Sequence, residues 1–133
     1  MKSRSFSKKM IDKEKYIKDL KLQVLEIIFR RASKDDSVVF LFGSFAKKDE
    51  TIFRSSDIDI GIFACNNLSR EDIVCIRWDL EEELMTLRTI DFVDFFRVKD
   101  QDFIKIALRE VEIWHQQGKS KEVFYNLRRQ IVD

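Results

Sequence analysis

Residues 57–63 read Asp-Ile-Asp-Ile-Gly-Ile-Phe, a β-strand pattern with isoleucine on one face and two carboxylates on the other. Residues i and i+2 of a strand share a face, so Asp57, Asp59 and Gly61 point one way, with the two carboxylates about 6–7 Å apart. Like charges on a strand this hydrophobic repel one another, and desolvation adds to the cost. A divalent cation between them removes both penalties. Mg²⁺ suits the position, because it favours carboxylate oxygens and keeps waters and substrate phosphates as its other ligands. Two such ions, about 3.5–4 Å apart, stabilise the attacking and leaving oxygens of an in-line displacement.

The neighbouring segments supply what such a displacement needs. "SVVFLF" (37–42) reads as a short buried strand broken by Gly43. A glycine ending a strand lets the backbone approach a phosphate, and amide groups of a following helical turn bind its oxygens. Ser44 adds a hydroxyl donor, while Lys47, Lys48 and Arg54 in the connection to Asp57 are placed to neutralise a triphosphate. Neither the P-loop nor the dinucleotide-binding glycine pattern occurs. A third carboxylate comes from "TIDFVDFF" (89–96), an alternating strand in which Asp91 and Asp94 face opposite ways. Asp91, with Val93 on its own face, is the one expected to join Asp57 and Asp59. Taken singly, a Gly-Ser pair reads as a turn, an Asp-x-Asp as a solvated strand edge, and Asp91 as an edge-strand charge. Their occurrence in order on three successive strands favours a shared site.

With 133 residues, 44% hydrophobic and 37% charged, the chain fits one α/β (α+β) domain with a small mixed β-sheet. We expect a core over about 12–116, a basic, polar, frayed tail at 1–11 and a C-terminal helix at about 119–131. Apolar spacings of three and four predict helices from Asp12 to Arg31, from the capping box at Ser69 and Asp72 to about Arg88, and around Phe103–Val111. "VEIWH" is a candidate short strand, and Ser120 a candidate cap for the last helix. Cys65 and Cys75, without close pairing, read as reduced core thiols, and no run is apolar enough to span a membrane. A cytoplasmic protein is expected. The net charge is +1, and the N-terminal lysines, lacking interleaved aromatics, read as a solvated face rather than a nucleic-acid surface. His115 is assigned to a surface, and Trp78 and Trp114 to core or partner-facing anchors. Twelve phenylalanines predict a phenylalanine-heavy core.

"GSFAKKDETIFRSSDIDI" followed by "IDFVDF" resembles the polymerase-β-type nucleotidyltransferase superfamily, whose signature is Gly-Ser, a spacer, then Asp-x-Asp. The small size and the segment "IKIALREVEIWHQ" are similar to the minimal nucleotidyltransferases, short stand-alone domains. The resemblance covers roughly residues 20–116. It implies a nucleotidyltransferase fold with helices packed on one side of the sheet. It also implies that Gly43 and Ser44, aided by Lys47 and Arg54, hold the triphosphate of ATP. Asp57, Asp59 and Asp91 would ligate Mg²⁺, two ions in all, with Asp91 helping to activate the acceptor hydroxyl. The implied partner is a small helical HEPN-type toxin in a hetero-oligomer, neutralised by transfer of AMP to a tyrosine. The chain departs from the family in carrying Lys47-Lys48-Asp49 where Arg-Gly is usual. Two alternatives stand beside this reading. One is a nucleotidyltransferase-fold module that neutralises its partner by occlusion, and the other an AMP transferase acting on a small, aminoglycoside-like molecule.

Overall fold

The computed structural model describes residues 2–46, 57–65, 68–84, 86 and 88–132, and for 2–13, 44, 45 and 132 the backbone alone. Helix α1 spans Lys2–Ile28. The segment expected to be a frayed tail is therefore helical from Lys2 onward. It contains no glycine or proline, and once a helix is nucleated each added residue gains a hydrogen bond. Strand β1 (Ser37–Phe42) runs straight into a 3₁₀ turn, Gly43–Ala46. Strand β2 (Ile58–Phe63), helix α2 (Arg70–Glu83) and strand β3 (Ile90–Asp94) come next. Helix α3 (Gln101–Leu108), strand β4 (Glu112–Gln117) and helix α4 (Gly118–Val132) complete the described chain.

The sheet is mixed, with strand order β3-β2-β1-β4. β2 and β3 are parallel, whereas β1 is antiparallel to both β2 and β4. A parallel pair needs a crossover, and α2 provides it. Its start carries the expected capping box: the Ser69 hydroxyl accepts from Asp72 N–H at 3.0 Å, and Asp72 accepts from Ser69 N–H at 3.3 Å. The helix stops at Glu83 rather than near Arg88, because Leu84 turns to an extended conformation and buries its side chain. Leu87, expected on this helix, lies outside the described residues.

Helices cover both faces of the sheet, not one. On the first face Val39, Leu41, Ile58, Ile60 and Ile62 pack with Val24 and Ile28 of α1 and Ile76 and Leu80 of α2. On the second, Val38, Phe40, Phe42, Phe63 and Phe95 pack with Ile104 and Leu108 of α3 and Phe124 of α4. The period of two sends alternate residues of β1 to opposite faces, and all six are buried. Two-sided cover follows directly, since an all-buried strand has no face left for water. The expected phenylalanine core is this second face. Gly61 makes room there, since a Cβ at this position would run into the rings of Phe40 and Phe95.

Two further expectations change. Ser120 sits inside α4 rather than capping it. The cap comes from across the chain, where Asp36 Oδ1 accepts from Ser120 N–H at 2.7 Å, and Ser120 Oγ accepts from Cys65 N–H at 3.0 Å. Gly118, at φ +77°, opens the helix where a Cβ would run into the backbone of Asp35 and Asp36. The third strand ends at Asp94, two residues early, because that side chain accepts from Phe96 N–H at 3.2 Å and folds the chain into a turn. Cys65 and Cys75 are free thiols, half-buried rather than core. No helix among the described residues is long and apolar enough to cross a membrane.

Candidate active site

Asp59 is the third residue of the Asp-Ile-Asp run and the second of β2. Parallel pairing sets Asp59 directly beside Asp91 of β3, and antiparallel pairing sets it opposite Phe42, the last residue of β1. The chain turns immediately after Phe42, so Gly43 is carried over the Asp59 carboxylate. Gly43 has φ +69°, and a Cβ there would overlap Asp59 Oδ2. Glycine is required twice at this position, once by the backbone conformation and once by the carboxylate beneath it. The expected approach of a bare backbone to the acidic site is therefore present, and Ser44 follows within the same 3₁₀ turn.

Asp59 is only half-buried, yet its carboxyl is pushed up to about 6. Burial is the main cause, followed by the negative charges of Asp91 and Asp57 and then a hydrogen bond to Asp91. Asp91 and Asp57 are both exposed. Asp57 precedes β2, whose first ladder residue, Ile58, donates its N–H to the Thr89 carbonyl at 2.8 Å. Asp57 thus acts on Asp59 through its charge, while Asp91 also meets it by hydrogen bond. Among the described residues no three His, Cys, Asp or Glu side chains gather into a metal-binding group. Asp94, assigned to the opposite face, is held by Arg97 at 2.6 Å and takes no part. Lys47, Lys48 and Arg54 lie outside the described residues. His115 Nε2–H donates to the Lys34 carbonyl, 2.7 Å away, and the ring packs edge-on to Phe29, remote from these carboxylates in the sheet.

The Asp59–Asp91 pair fits a hard divalent cation. Two oxygen-donor side chains stand side by side in register, burial and the neighbouring negative charges push Asp59 toward its neutral form, and a cation is what their chemistry lacks.

The pair opens into a cavity of about 730 Å³ lined by Gly43, Asp59 and Asp91 at one part and by Phe42, Val93 and α3 at another. The wall made by α3 and the two residues after it is not among the site residues expected from the sequence, where Phe103 counts only as an apolar position of the helix and Ile106, Arg109 and Glu110 fall outside the apolar spacing. Phe103 stacks on Phe95 at 5.6 Å between centroids and meets Phe42 edge-on at 6.3 Å. The usable signal was Ile106, an isoleucine off the buried stripe of an otherwise regular amphipathic helix.

The model of the family described as polymerase beta, nucleotidyltransferase, matches residues 23–119. No curated protein sequence matches the chain. Among solved structures, a chain of a toxin–antitoxin complex with AMP-PNP is similar at 19% identity and TM-score 0.63, covering 84% of this chain and 85% of that one. A chain of the tri-AMPylated Shewanella oneidensis HEPN toxin in complex with MNT antitoxin is similar at 16% identity and TM-score 0.62, covering 86% of this chain and 84% of that one. A mutant MntA–HpeT toxin–antitoxin complex gives 16% identity and TM-score 0.62, with 84% of each chain covered. At these identities the likeness is one of fold. The family match spans the Gly43 turn, both strand carboxylates and the whole sheet, and the chain belongs to the polymerase beta nucleotidyltransferase family.

Proposed function

We propose that the protein is a Mg²⁺-dependent adenylyltransferase that moves AMP from ATP to a tyrosine hydroxyl of a small helical HEPN-type partner, acting as its antitoxin. One observation carries the chemistry: Asp59 and Asp91 stand in register on parallel strands with the bare backbone of Gly43 laid against Asp59. The nucleotide and the partner rest on similarity to chains from toxin–antitoxin complexes, one with AMP-PNP and one with a tri-AMPylated HEPN toxin.

In this reading Asp59 and Asp91 would hold the metal, with Asp57 as the third carboxylate. When bound, a divalent ion supplies charge neutralisation for the phosphoryl oxygens. Gly43 and Ser44, in the 3₁₀ turn, present backbone amides to the triphosphate, assisted by Lys47 and Arg54. The acceptor oxygen bonds to the α-phosphorus as the bond to the bridging oxygen breaks, and pyrophosphate leaves with that electron pair. Asp91, at the exposed side of the pair, takes the hydroxyl proton on a carboxylate oxygen.

Incubation with α-labelled ATP, Mg²⁺ and a HEPN-type protein encoded beside it should label the partner, and Asp59→Asn or Asp91→Asn should abolish labelling. Absence of transfer, with the variants indistinguishable from wild type, overturns the reading. A second reading, neutralisation by occlusion, is favoured by Lys47-Lys48-Asp49, which replaces the family's Arg-Gly beside the phosphate turn. It requires that ATP and Mg²⁺ fail to bind while the partner is still inhibited.

A further inference from the structure

The cavity beside the carboxylates has a wall with no part in metal or phosphate binding. α3 turns Phe103, Ile106 and Ala107 toward it, spaced three and four apart along one stripe of the helix, and Arg109 and Glu110, just past the helix end at Leu108, continue the lining. Ile106 is 71% exposed, the most exposed of the large hydrophobic residues described, and Phe103 is 37% exposed. The cost of leaving an isoleucine in water is not forced by packing, because Ile104, Ala107 and Leu108 already anchor the helix to the core. The Phe103 ring, in turn, stacks on Phe95 and meets Phe42 edge-on, which sets its position on this wall. Arg109 has no ion-pair partner among the described residues, although it lies on the cavity rim next to Glu110.

We propose that this stripe seats the acceptor: Phe103 and Ile106 receive the aromatic ring that carries the acceptor hydroxyl, and Arg109 takes an acidic or carbonyl group of the polypeptide flanking it. The assignment rests on the nucleotidyl-transfer reading. Two observations select a polypeptide ring over the nucleobase. The apolar contact lies at the open rim, where a ring projecting from a larger body can cover Ile106 while that body rests outside. The same cavity is lined by Asp91 and by Val93, the next residue on its face of β3, so a ring on Ile106 and Phe103 shares one cavity with the carboxylates that its hydroxyl must reach. Ile106 and Arg109 are then specificity-determining residues. They act on where the acceptor sits and not on the phosphate.

The test uses the full chain and N-acetyl-L-tyrosinamide as probe, followed by amide NMR shifts without metal. The probe should shift Phe103, Ile106, Ala107 and Arg109, and Ile106→Asp should weaken it about tenfold, as expected for losing one buried apolar contact. Affinity for ATP with Mg²⁺ should stay unchanged in the same variant. Because Ile106 is exposed, the variant should melt as wild type does, and Ile106→Ala gives a milder version of the same loss. Shifts located elsewhere, or insensitivity to both substitutions, overturn the assignment. So does adenosine shifting these amides when the tyrosine amide does not, since the wall would then hold the base. Probe binding on α3 with no ATP binding sinks the transferase reading and leaves the aromatic seat standing; ATP binding without probe binding does the reverse.

Discussion

At the residue scale the site turns on two positions, Gly43 and Asp59. Gly43 combines a left-handed backbone, φ +69°, with the Asp59 carboxylate where a Cβ would lie. Gly43→Ala should cost about 1–2 kcal/mol of stability, read from the urea midpoint, and should reduce adenylyl transfer far more than that loss explains. Asp59 carries the opposite problem, a charge the fold does not want in the absence of a cation. Its carboxyl ionises near 3.8 when unfolded and about 6 when folded, because burial and the Asp91 and Asp57 charges disfavour the anion. The stability held by the protonated form is complete below the lower value and is lost as pH rises through about 6. Metal-free protein should therefore be less stable at about pH 8 than below pH 4, as far as this group decides. Asp59→Asn should gain on the order of 1 kcal/mol at the higher pH, after discounting for its half-exposed position. Thermal unfolding checks both points, and added Mg²⁺ should raise the melting temperature of the wild type only. Asp59 and Gly43 were legible from order and spacing. Their contact was not, since it depends on Phe42 pairing with Asp59 across two strands.

At the element scale, helix ends decide how the layers join. The α2 capping box was legible because both of its members lie within four residues of chain. The α4 cap was not, because its acceptor, Asp36, sits before β1 and reaches Ser120 only in the folded chain. Ser120 was read as a cap from its type, but its hydroxyl instead fastens Cys65 at the end of β2. Ser120→Ala should leave the Cys65 amide without its acceptor in a half-buried position and cost about 1 kcal/mol, measured by equilibrium unfolding. The ion pair between the turn after α1 and the end of α2 is a contrast. Arg30 and Glu83 pair at 2.5 Å on the surface, which raises the arginine and lowers the glutamate from their ordinary values. Solvent and salt screen such a pair, so it orients the two helices more than it stabilises them.

At the scale of the whole molecule, two cores share one sheet. Phe40 fills the face under α3 and α4 with contacts to Phe42, Phe95 and Phe124. Phe40→Ala should cost about 3–5 kcal/mol and should lower the unfolding midpoint seen by both near- and far-UV circular dichroism together. Separate transitions for the two signals would show that the faces fold independently. The acidic pair depends on the same sheet, because Asp59 and Asp91 meet only if β2 and β3 run parallel in the observed register. A slip of one residue would send one carboxylate to the opposite face. By itself, the sequence determined the strands, most of the helices, the Gly43 turn and the acidic residues, because alternation, helical spacing and capping are written in adjacent residues. The tertiary structure alone decided that both faces are covered, that Asp59 lies beside Asp91, that Asp36 caps α4, and that α3 walls the cavity. Each of those depends on surfaces brought together from distant parts of the chain, where burial and register, not local spacing, set the outcome.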